Sequence, residues 1–197
     1  MRDPLARGPR VYLRPLEESD AAALAGFIAD ENETFFLGRG RMPGSPLAFS
    51  AWIRDINARQ PPDTLELAVC RVTDDGLLGY VGIWELDWVY GTGEVDIALW
   101  PASERGRGYG TEALRLLLDL AFGTYQLRTL RAFVWSANVR SAAALRRTGF
   151  RPAGTLRTTV VKSGCHLDQM AFDMTDRDWL TSIRALPART CGGTYQV

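Results

Sequence analysis

The chain lacks any uninterrupted apolar run of about 18 residues, the length that a membrane-spanning helix requires. Its first residues, Met1 to Leu5, also lack the charged-then-apolar order of a secretory signal. Both absences argue against insertion into a membrane or export across one. We therefore expect a soluble, cytoplasmic protein with no membrane partner.

Cysteine is scarce, with three residues in the chain, and histidine occurs once. Cys70, Cys165 and Cys191 show none of the paired spacings that mark a zinc site or a disulfide framework. We expect three reduced thiols and no bound metal. For the one histidine, His166, we favour a structural role over a catalytic one.

The chain also has no excess of charge of one sign, because 23 Lys and Arg balance 23 Asp and Glu. Residues 1–100 nevertheless hold 9 basic and 16 acidic side chains, and residues 101–197 hold 14 basic and 7 acidic ones. No carboxylate lies between Asp119 and Asp168. The basic half suits a polyanionic partner, although solvated arginine-rich helix surfaces explain the charge equally well.

What the chain does have is enough apolar sequence for one core. Of its 197 residues, 46% are apolar and 23% charged, which is ample for one domain and short for two. We expect a single domain over residues 1–185 and a disordered tail over residues 186–197. No internal repeat is visible.

Apolar periodicity predicts a mixed α/β fold in the order β-α-α-β-β-β-α-β-α-β-β. Ser19 precedes the first predicted helix, with Asp20 in its first turn, and a mobile loop that carries aromatic residues is predicted over 31–44. The predicted strands cover residues 10–14, 65–72, 77–84, 94–100, 129–134, 154–161 and 167–174, and the helices cover 20–29, 46–59, 108–124 and 140–148.

A glycine-rich stretch, RGRGYGT, follows a predicted strand and opens a long amphipathic helix. Unpaired N–H groups and the positive end of the helix dipole meet there, so an anion should bind. Glycine allows a pyrophosphate to approach the main chain closely. The residues concerned are Arg105, Gly106, Arg107, Gly108, Tyr109, Gly110 and Thr111.

A glycine-rich stretch before a helix has three other interpretations. A Walker-type phosphate loop requires a Lys that is absent here. Residues 108–113 match the dinucleotide pattern G-x-G-x-x-A, but an acidic residue should follow about 20 positions later, and the region around residue 128 offers only Arg. The stretch could also be a flexible entry to the helix. A ligand with extra phosphate is preferable to NAD.

The spacing of Arg105, Gly108 and Gly110 resembles the [QR]-x-x-G-x-[GA] signature of the GNAT acetyltransferase superfamily. Downstream, Asn138 and Ser141, followed by the sequence LRRTGF, are similar to that family's second cofactor motif. The last hairpin resembles the subgroup of ribosomal-protein N-terminal, polyamine and antibiotic acetyltransferases through Gly164, Asp168 and Met170.

The resemblance implies the GNAT acyl-CoA N-acyltransferase fold, a mostly antiparallel twisted sheet of about seven strands flanked by about four helices. It implies acetyl-CoA as the cofactor, with the pyrophosphate on residues 105–111. The pantetheine arm would lie along the main chain of Ile97, Ala98 and Leu99, because the next strand splays away in this fold. Asn138 would contact the same arm as donor and acceptor.

The family's reaction is direct attack of an amine on the acetyl thioester within a ternary complex. By resemblance, Glu94 matches the acidic residue that accepts the amine proton. Asp96 shares its face of the strand, and with Trp84 and Glu85 it would form an acidic, aromatic mouth for a cationic amine. The carboxylates could instead pair with nearby Arg residues, and the indoles could be packing residues.

The sequence departs from the family at the leaving group. The position seven residues after Asn138 is commonly Tyr and is Leu145 here, which cannot donate a proton. Some ribosomal-protein acetyltransferases of the family also lack that Tyr and use the serine three residues after the Asn, so by resemblance we assign Ser141 as the partner of the leaving thiolate or as a cofactor contact; a cap or surface serine is the alternative. Tyr109 is a weaker candidate for the thiolate partner.

We expect an N-acetyltransferase whose substrate is a protein N-terminus, a polyamine or a small-molecule amine. A non-catalytic CoA-binding module is the alternative, since the usual Tyr is missing. A nucleic-acid-binding domain is disfavoured by the zero net charge and a pI near 6.6. The edge strands of this family often pair, so the resemblance is compatible with a homodimer.

Overall fold

One central sheet organises the chain, and its strands follow the alternation of apolar and polar residues in the sequence. The computed structural model describes residues 4–28, 44–162 and 164–184. Outside these residues lie positions 31–43 of the predicted loop, Cys191 and the predicted tail at 186–197. The described strands are β1 (Ala6–Arg7), β2 (Val11–Pro15), β3 (Leu65–Arg71), β4 (Leu77–Asp87), β5 (Thr92–Leu99), β6 (Thr129–Trp135), β7 (Arg151–Lys162) and β8 (Cys165–Thr175).

Five α-helices flank this sheet in the described ranges, with short 3-10 turns at Glu18–Asp20 and Ala102–Glu104. The fold class is therefore the mixed α/β class expected from the sequence, with one strand and one helix more than the approximate counts. The helices are α1 (Ala21–Ile28), α2 (Pro46–Ala58), α3 (Tyr109–Leu118), α4 (Val139–Thr148) and α5 (Asp176–Arg184).

The strand order is β1-β2-β3-β4-β5-β6-β8-β7. Every neighbouring pair is antiparallel except β5 and β6, which run parallel. Parallel strands need a long crossover, and α3 supplies it between β5 and β6. The crossover places the glycine-rich stretch directly after β5.

Two apolar clusters pack on the sheet. One contains Val95 of β5 with the buried face of α3, Ala142 and Leu145 of α4, and the inward residues of β6 and β8. The other contains Ala98 and Trp100 with residues of α1 and α2. Successive strand residues point to opposite faces, so α3 and α4 cover one face and α1 and α2 the other.

Several element boundaries differ from those predicted. The long helix that begins at Tyr109 is α-helical to Leu118 and continues as a π-helix over Asp119–Thr124. Strand β1 and helix α5 were not predicted. No helix in the described ranges combines the length and apolar character needed to cross a membrane.

The start of α1 also differs from the prediction that Ser19 precedes the helix. Glu17 and Asp20 form a capping box around the 3-10 turn, and α1 begins at Ala21. Asp20 is buried and makes a bidentate pair with Arg14, with both N–O distances 2.7 Å. Its carboxylate therefore neutralises a buried guanidinium in addition to capping a helix.

Replacing Asp20 by Asn should lower the free energy of unfolding by about 3 to 5 kcal/mol, because the Arg14 charge would stay buried without its counter-ion. Urea denaturation at neutral pH measures the change. Asp63→Asn is the matched control, since Asp63 pairs with Arg59 at the surface, where such pairs contribute about 0 to 1 kcal/mol. Equal effects of the two substitutions would contradict a special role for the buried pair.

Candidate active site

The sheet opens between β5 and β6. These parallel strands pair at Thr92 with Thr129, Gly93 with Leu130 and Glu94 with Arg131, and in the described structure their pairing ends there. Beyond Glu94, β5 keeps its partner β4, through Ala98 with Tyr80 and Leu99 with Gly79. One main-chain edge of Ile97, Ala98 and Leu99 thus faces an opening instead of a strand, although the Ile97 N–H already donates a hydrogen bond to Asp96 Oδ1 at 2.9 Å.

The glycine-rich stretch borders the same opening. Gly106 and Gly108 have φ angles of +77° and +82°, a region that favours glycine. Gly108 caps α3 without a side chain, and Glu112 N–H donates to its carbonyl oxygen. The N–H groups of Tyr109, Gly110 and Thr111 precede that bond, so they can serve an anion, aided by the helix dipole.

The start of α4 forms the opposite wall. Asn138 is its N-cap, and its side-chain oxygen accepts a hydrogen bond from the Ser141 N–H at 3.2 Å. One side of the Asn138 amide is therefore used within the helix. At the other end, Gly149 adopts φ +102° and stops the helix before the buried Phe150. The second sequence motif thus builds one complete, capped helix.

Together these elements enclose an open cleft of about 540 Å³. It is lined by Ser141 and by all the predicted cofactor-binding residues except Arg107. These lining residues are Ile97, Ala98, Leu99, Arg105, Gly106, Gly108, Tyr109, Gly110, Thr111 and Asn138. Main-chain donors at one end and an open strand edge at the other suit a long ligand with a phosphate group. The roles of the individual residues stay predictions.

Arg107 lies outside the cleft lining. Its guanidinium is 3.5 Å from the Glu104 carboxylate, and its carbonyl oxygen accepts a hydrogen bond from Arg10 at 2.8 Å. The main chain of Arg107 is therefore held in the loop by Arg10, whereas the side chain of Arg107 is exposed.

Glu94 is half-buried on the strand face opposite to Val95, at the last paired position before β5 and β6 separate. Burial raises the pKa of its carboxyl group, and the charges of Glu85 and Asp96 raise it further, while Arg131 opposes them. A carboxylate with a raised pKa is a better proton acceptor at neutral pH, provided that it is still ionised.

The predicted substrate residues lie around Glu94 and outside the cleft lining. Trp84 of β4 pairs directly with Glu94 of β5, and Gly82 of β4 pairs with Asp96 of β5. Glu85 follows Trp84 in a bulge with φ +49° and lies 3.5 Å from Arg131. Arg131 therefore contacts one predicted substrate carboxylate, in line with the alternative that some of these acids pair with arginine.

Several lining residues were not assigned from the sequence. Arg140 and Arg147 on α4 border the cleft, as do Trp100 and Glu104 after β5. The two arginines belong to the carboxylate-free stretch, whose charge was the available signal for a polyanion. No group of three or more His, Cys, Asp or Glu in the described residues is arranged to hold a metal ion.

Known proteins resemble the chain over most of its length. The family model of the acetyltransferase (GNAT) domain matches residues 10–151. YdaF of Bacillus subtilis (strain 168), named as a candidate ribosomal N-acetyltransferase, is 27% identical over 172 residues, which cover 86% of this chain and 93% of YdaF.

Solved structures agree with this result. A probable GNAT-family acetyltransferase from Chromobacterium violaceum ATCC 12472 is 32% identical, with a TM-score of 0.73 over 88% of this chain and 87% of that one. Spermidine N-acetyltransferase from Vibrio cholerae in complex with CoA and spermine has a TM-score of 0.79 over 88% of this chain and 99% of that one, and at 17% identity it shares the fold alone. The chain belongs to the GNAT family of acetyltransferases and is an acetyltransferase enzyme.

Proposed function

We propose that the enzyme transfers an acetyl group from acetyl-CoA to a primary amine by direct attack within a ternary complex. One observation carries this proposal: the amides at the start of α3 and the open edge of β5 line a single cleft, and Glu94 lies at the fork where β5 leaves β6. An anchored donor and a proton acceptor would then meet at one point of the sheet.

The residues present fit coenzyme A. Main-chain N–H groups at the start of α3 would hold the diphosphate, because glycines keep that backbone accessible. The open edge of Ile97 to Leu99 would hydrogen-bond the amides of the pantetheine arm, apart from the Ile97 N–H, which already donates to Asp96 Oδ1. Arg140 and Arg147 add positive charge to the cleft wall for a ligand with several phosphates. When bound, acetyl-CoA supplies an acetyl thioester for attack by the amine.

Glu94 would accept the proton of the attacking amine, directly or through water. A lysine-like amine with a pKa of about 10.4 is neutral roughly once in 2,500 molecules at pH 7, which costs about 4.6 kcal/mol. An α-amine with a pKa of about 7.8 costs about 1 kcal/mol. A base therefore matters more for an alkyl amine than for a peptide N-terminus.

Ser141 would provide the hydrogen bond to the leaving thiolate. It is half-buried in the third position of α4 and lines the cleft. Leu145, one turn later, is 2% exposed and packs in the core, so it takes no part. A hydroxyl group can donate a proton to sulfur, which makes Ser141 the candidate general acid on α4.

The substrate would be a cationic amine: a protein N-terminus, a polyamine or a small-molecule amine. Support comes from the carboxylates of Glu94, Asp96 and Glu85 on one side of the fork. The name of YdaF points to ribosomal N-termini, and the ligand of the spermidine acetyltransferase points to polyamines. These amine classes differ in pKa, which allows kinetics to separate them.

A panel of amines with acetyl-CoA and a free-thiol readout tests the proposal. The panel holds a peptide with a free α-amine, spermidine and an aminoglycoside, with an N-blocked, lysine-free peptide as the control. We expect thiol release with at least one amine and only background release with the blocked peptide. Absence of turnover with every amine, despite binding of acetyl-CoA, would favour the non-catalytic module.

Replacing Glu94 by Gln should lower kcat for an alkyl amine by about 10²- to 10⁴-fold, and by less for an α-amine. In the unaltered enzyme kcat should rise with pH through the raised pKa of Glu94, because only the ionised carboxylate accepts a proton. This acidic limb should vanish in Glu94→Gln. Asp63→Asn, at the surface, is the control; an unchanged rate and pH profile in Glu94→Gln would show that the base is another group.

Replacing Ser141 by Ala should lower kcat by about 10²-fold or more, since general-acid assistance lies in that range, and should change the KM for acetyl-CoA less than threefold. Ser141→Thr retains a hydroxyl and serves as the matched rescue. The backbone bond from residue 141 to Asn138 is kept in both variants. A rise in KM at constant kcat would assign Ser141 to cofactor binding instead.

A further inference from the structure

Arg10, whose side chain is half-exposed, and the buried Glu112 form a clamp behind the glycine-rich loop. Arg10 directly precedes β2, and Glu112 lies in the first turn of α3, 102 positions away. The Glu112 carboxylate accepts hydrogen bonds from Arg10 N at 2.8 Å, Val11 N at 3.0 Å and Arg10 Nε at 2.6 Å. With 7% of the residue exposed, Glu112 is held by three donors of one short segment.

The free end of the same guanidinium reaches the loop. Arg10 Nη1 donates to the carbonyl oxygen of Arg107 at 2.8 Å. A Cβ added at Gly108 would lie 2.8 Å from Arg10 Nη1, so the loop packs directly on this side chain. Arg10 thus connects β2, α3 and the loop, although it is not among the residues that line the cleft.

We infer that Arg10 is a positioning residue for the diphosphate site, which it shapes by orienting the loop and by neutralising Glu112. This inference rests on the proposed function, since it assumes that the loop binds the diphosphate of coenzyme A. Neither residue belongs to the motif that identifies the loop.

The orientation follows from peptide geometry. The cis peptide bonds of the described chain precede Pro61 and Pro101, so the bond between Arg107 and Gly108 is trans. In a trans peptide the C=O and N–H groups point in opposite directions. Because Arg10 holds the Arg107 carbonyl, the Gly108 N–H is directed away from Arg10, which leaves it available to a ligand in the cleft that Gly108 lines.

The neutralisation follows from charge. Glu112 lies within the first turn of the helix whose N-terminus is the proposed anion site. Its carboxylate would repel a diphosphate there, and the low polarity around a buried group strengthens such repulsion. The Arg10 guanidinium offsets that charge without entering the cleft. A Cβ at Gly8 would lie 2.4 Å from Glu112 Oε1, so Gly8 packs closely on this carboxylate.

Arg10→Ala tests the inference, with Arg10→Lys as the conservative variant and Arg59→Ala as the control. Arg59 also makes two contacts through its guanidinium, to the carboxylates of Asp55 and Asp63, and its side chain is 47% exposed, close to the 53% of Arg10. Calorimetric titration with CoA should give a Kd about 10- to 100-fold higher in Arg10→Ala, as expected for lost charge-assisted hydrogen bonds. The Kd of Arg10→Lys should lie between those of Arg10→Ala and the unaltered protein. Lysine keeps the positive charge but loses the simultaneous hydrogen bonds to Glu112 and to the Arg107 carbonyl oxygen.

Kinetics should localise the effect to the diphosphate. With acetyl-CoA, Arg10→Ala should raise KM by a similar factor and change kcat by less than about twofold. With S-acetylpantetheine, which keeps the thioester arm and lacks the diphosphate, kcat/KM should be the same in Arg10→Ala and the unaltered enzyme. Equal losses with both donors would overturn the inference and indicate general damage to the fold.

The double variant Arg10→Ala with Glu112→Gln separates the two parts of the inference. Glutamine keeps an oxygen for the backbone N–H groups and removes the charge. If neutralisation of Glu112 contributes to binding, the double variant should bind CoA more tightly than Arg10→Ala alone. In a double-mutant cycle the effects of the two substitutions on the free energy of binding should then be non-additive. An unchanged Kd in Arg10→Ala overturns the inference alone, whereas failure of the unaltered protein to bind CoA overturns the proposed function as well.

Discussion

The separation of β6 from β5 after one short parallel contact is the constraint on which the rest of the site depends. Strands that stay paired satisfy each other's main-chain groups, and buried groups left without partners are costly. Here β5 keeps β4 on one side and loses β6 on the other beyond Glu94. In the proposed complex, an extended ligand with its own amides would bond to that edge, apart from the Ile97 N–H, which already donates to Asp96 Oδ1.

The same separation explains why the helices lie where they do. β6 remains in the sheet because β8 pairs with it along all seven of its residues, from Thr129 with Thr175 to Trp135 with Gln169. The gap on the other side is bordered by the starts of α3 and α4, both of which line the cleft. Two helix N-termini therefore converge on one opening, where the proposed function uses main-chain donors from α3 and side chains from α4 to bind the ligand phosphates.

Local chemistry was readable from the sequence, and long-range contacts were not. The glycines of the loop and the Gly149 stop occupy short segments with fixed spacing, so their positions followed from pattern alone. Asn138 was assigned to the cofactor arm, and the structure shows that it also caps α4. Arg10 and Glu112 are too far apart in sequence for any spacing rule, and β1, only two residues long, shows no periodicity. Asp20 was read as a dipole partner because nothing local indicates that Arg14 is buried beside it.

The absence of tyrosine at position 145 has a structural reason in the way α4 packs. Asn138, Ser141 and Ala144 line the cleft at steps of three residues, and residues three apart are neighbours on the surface of a helix. Leu145 is turned into the core with Ala142, so a tyrosine there would have to leave the core to reach the cleft. Among the lining residues of α4, Ser141 is the one with a hydroxyl group. Ser141, one turn earlier, lines the cleft and is the proton donor that the proposed function assigns.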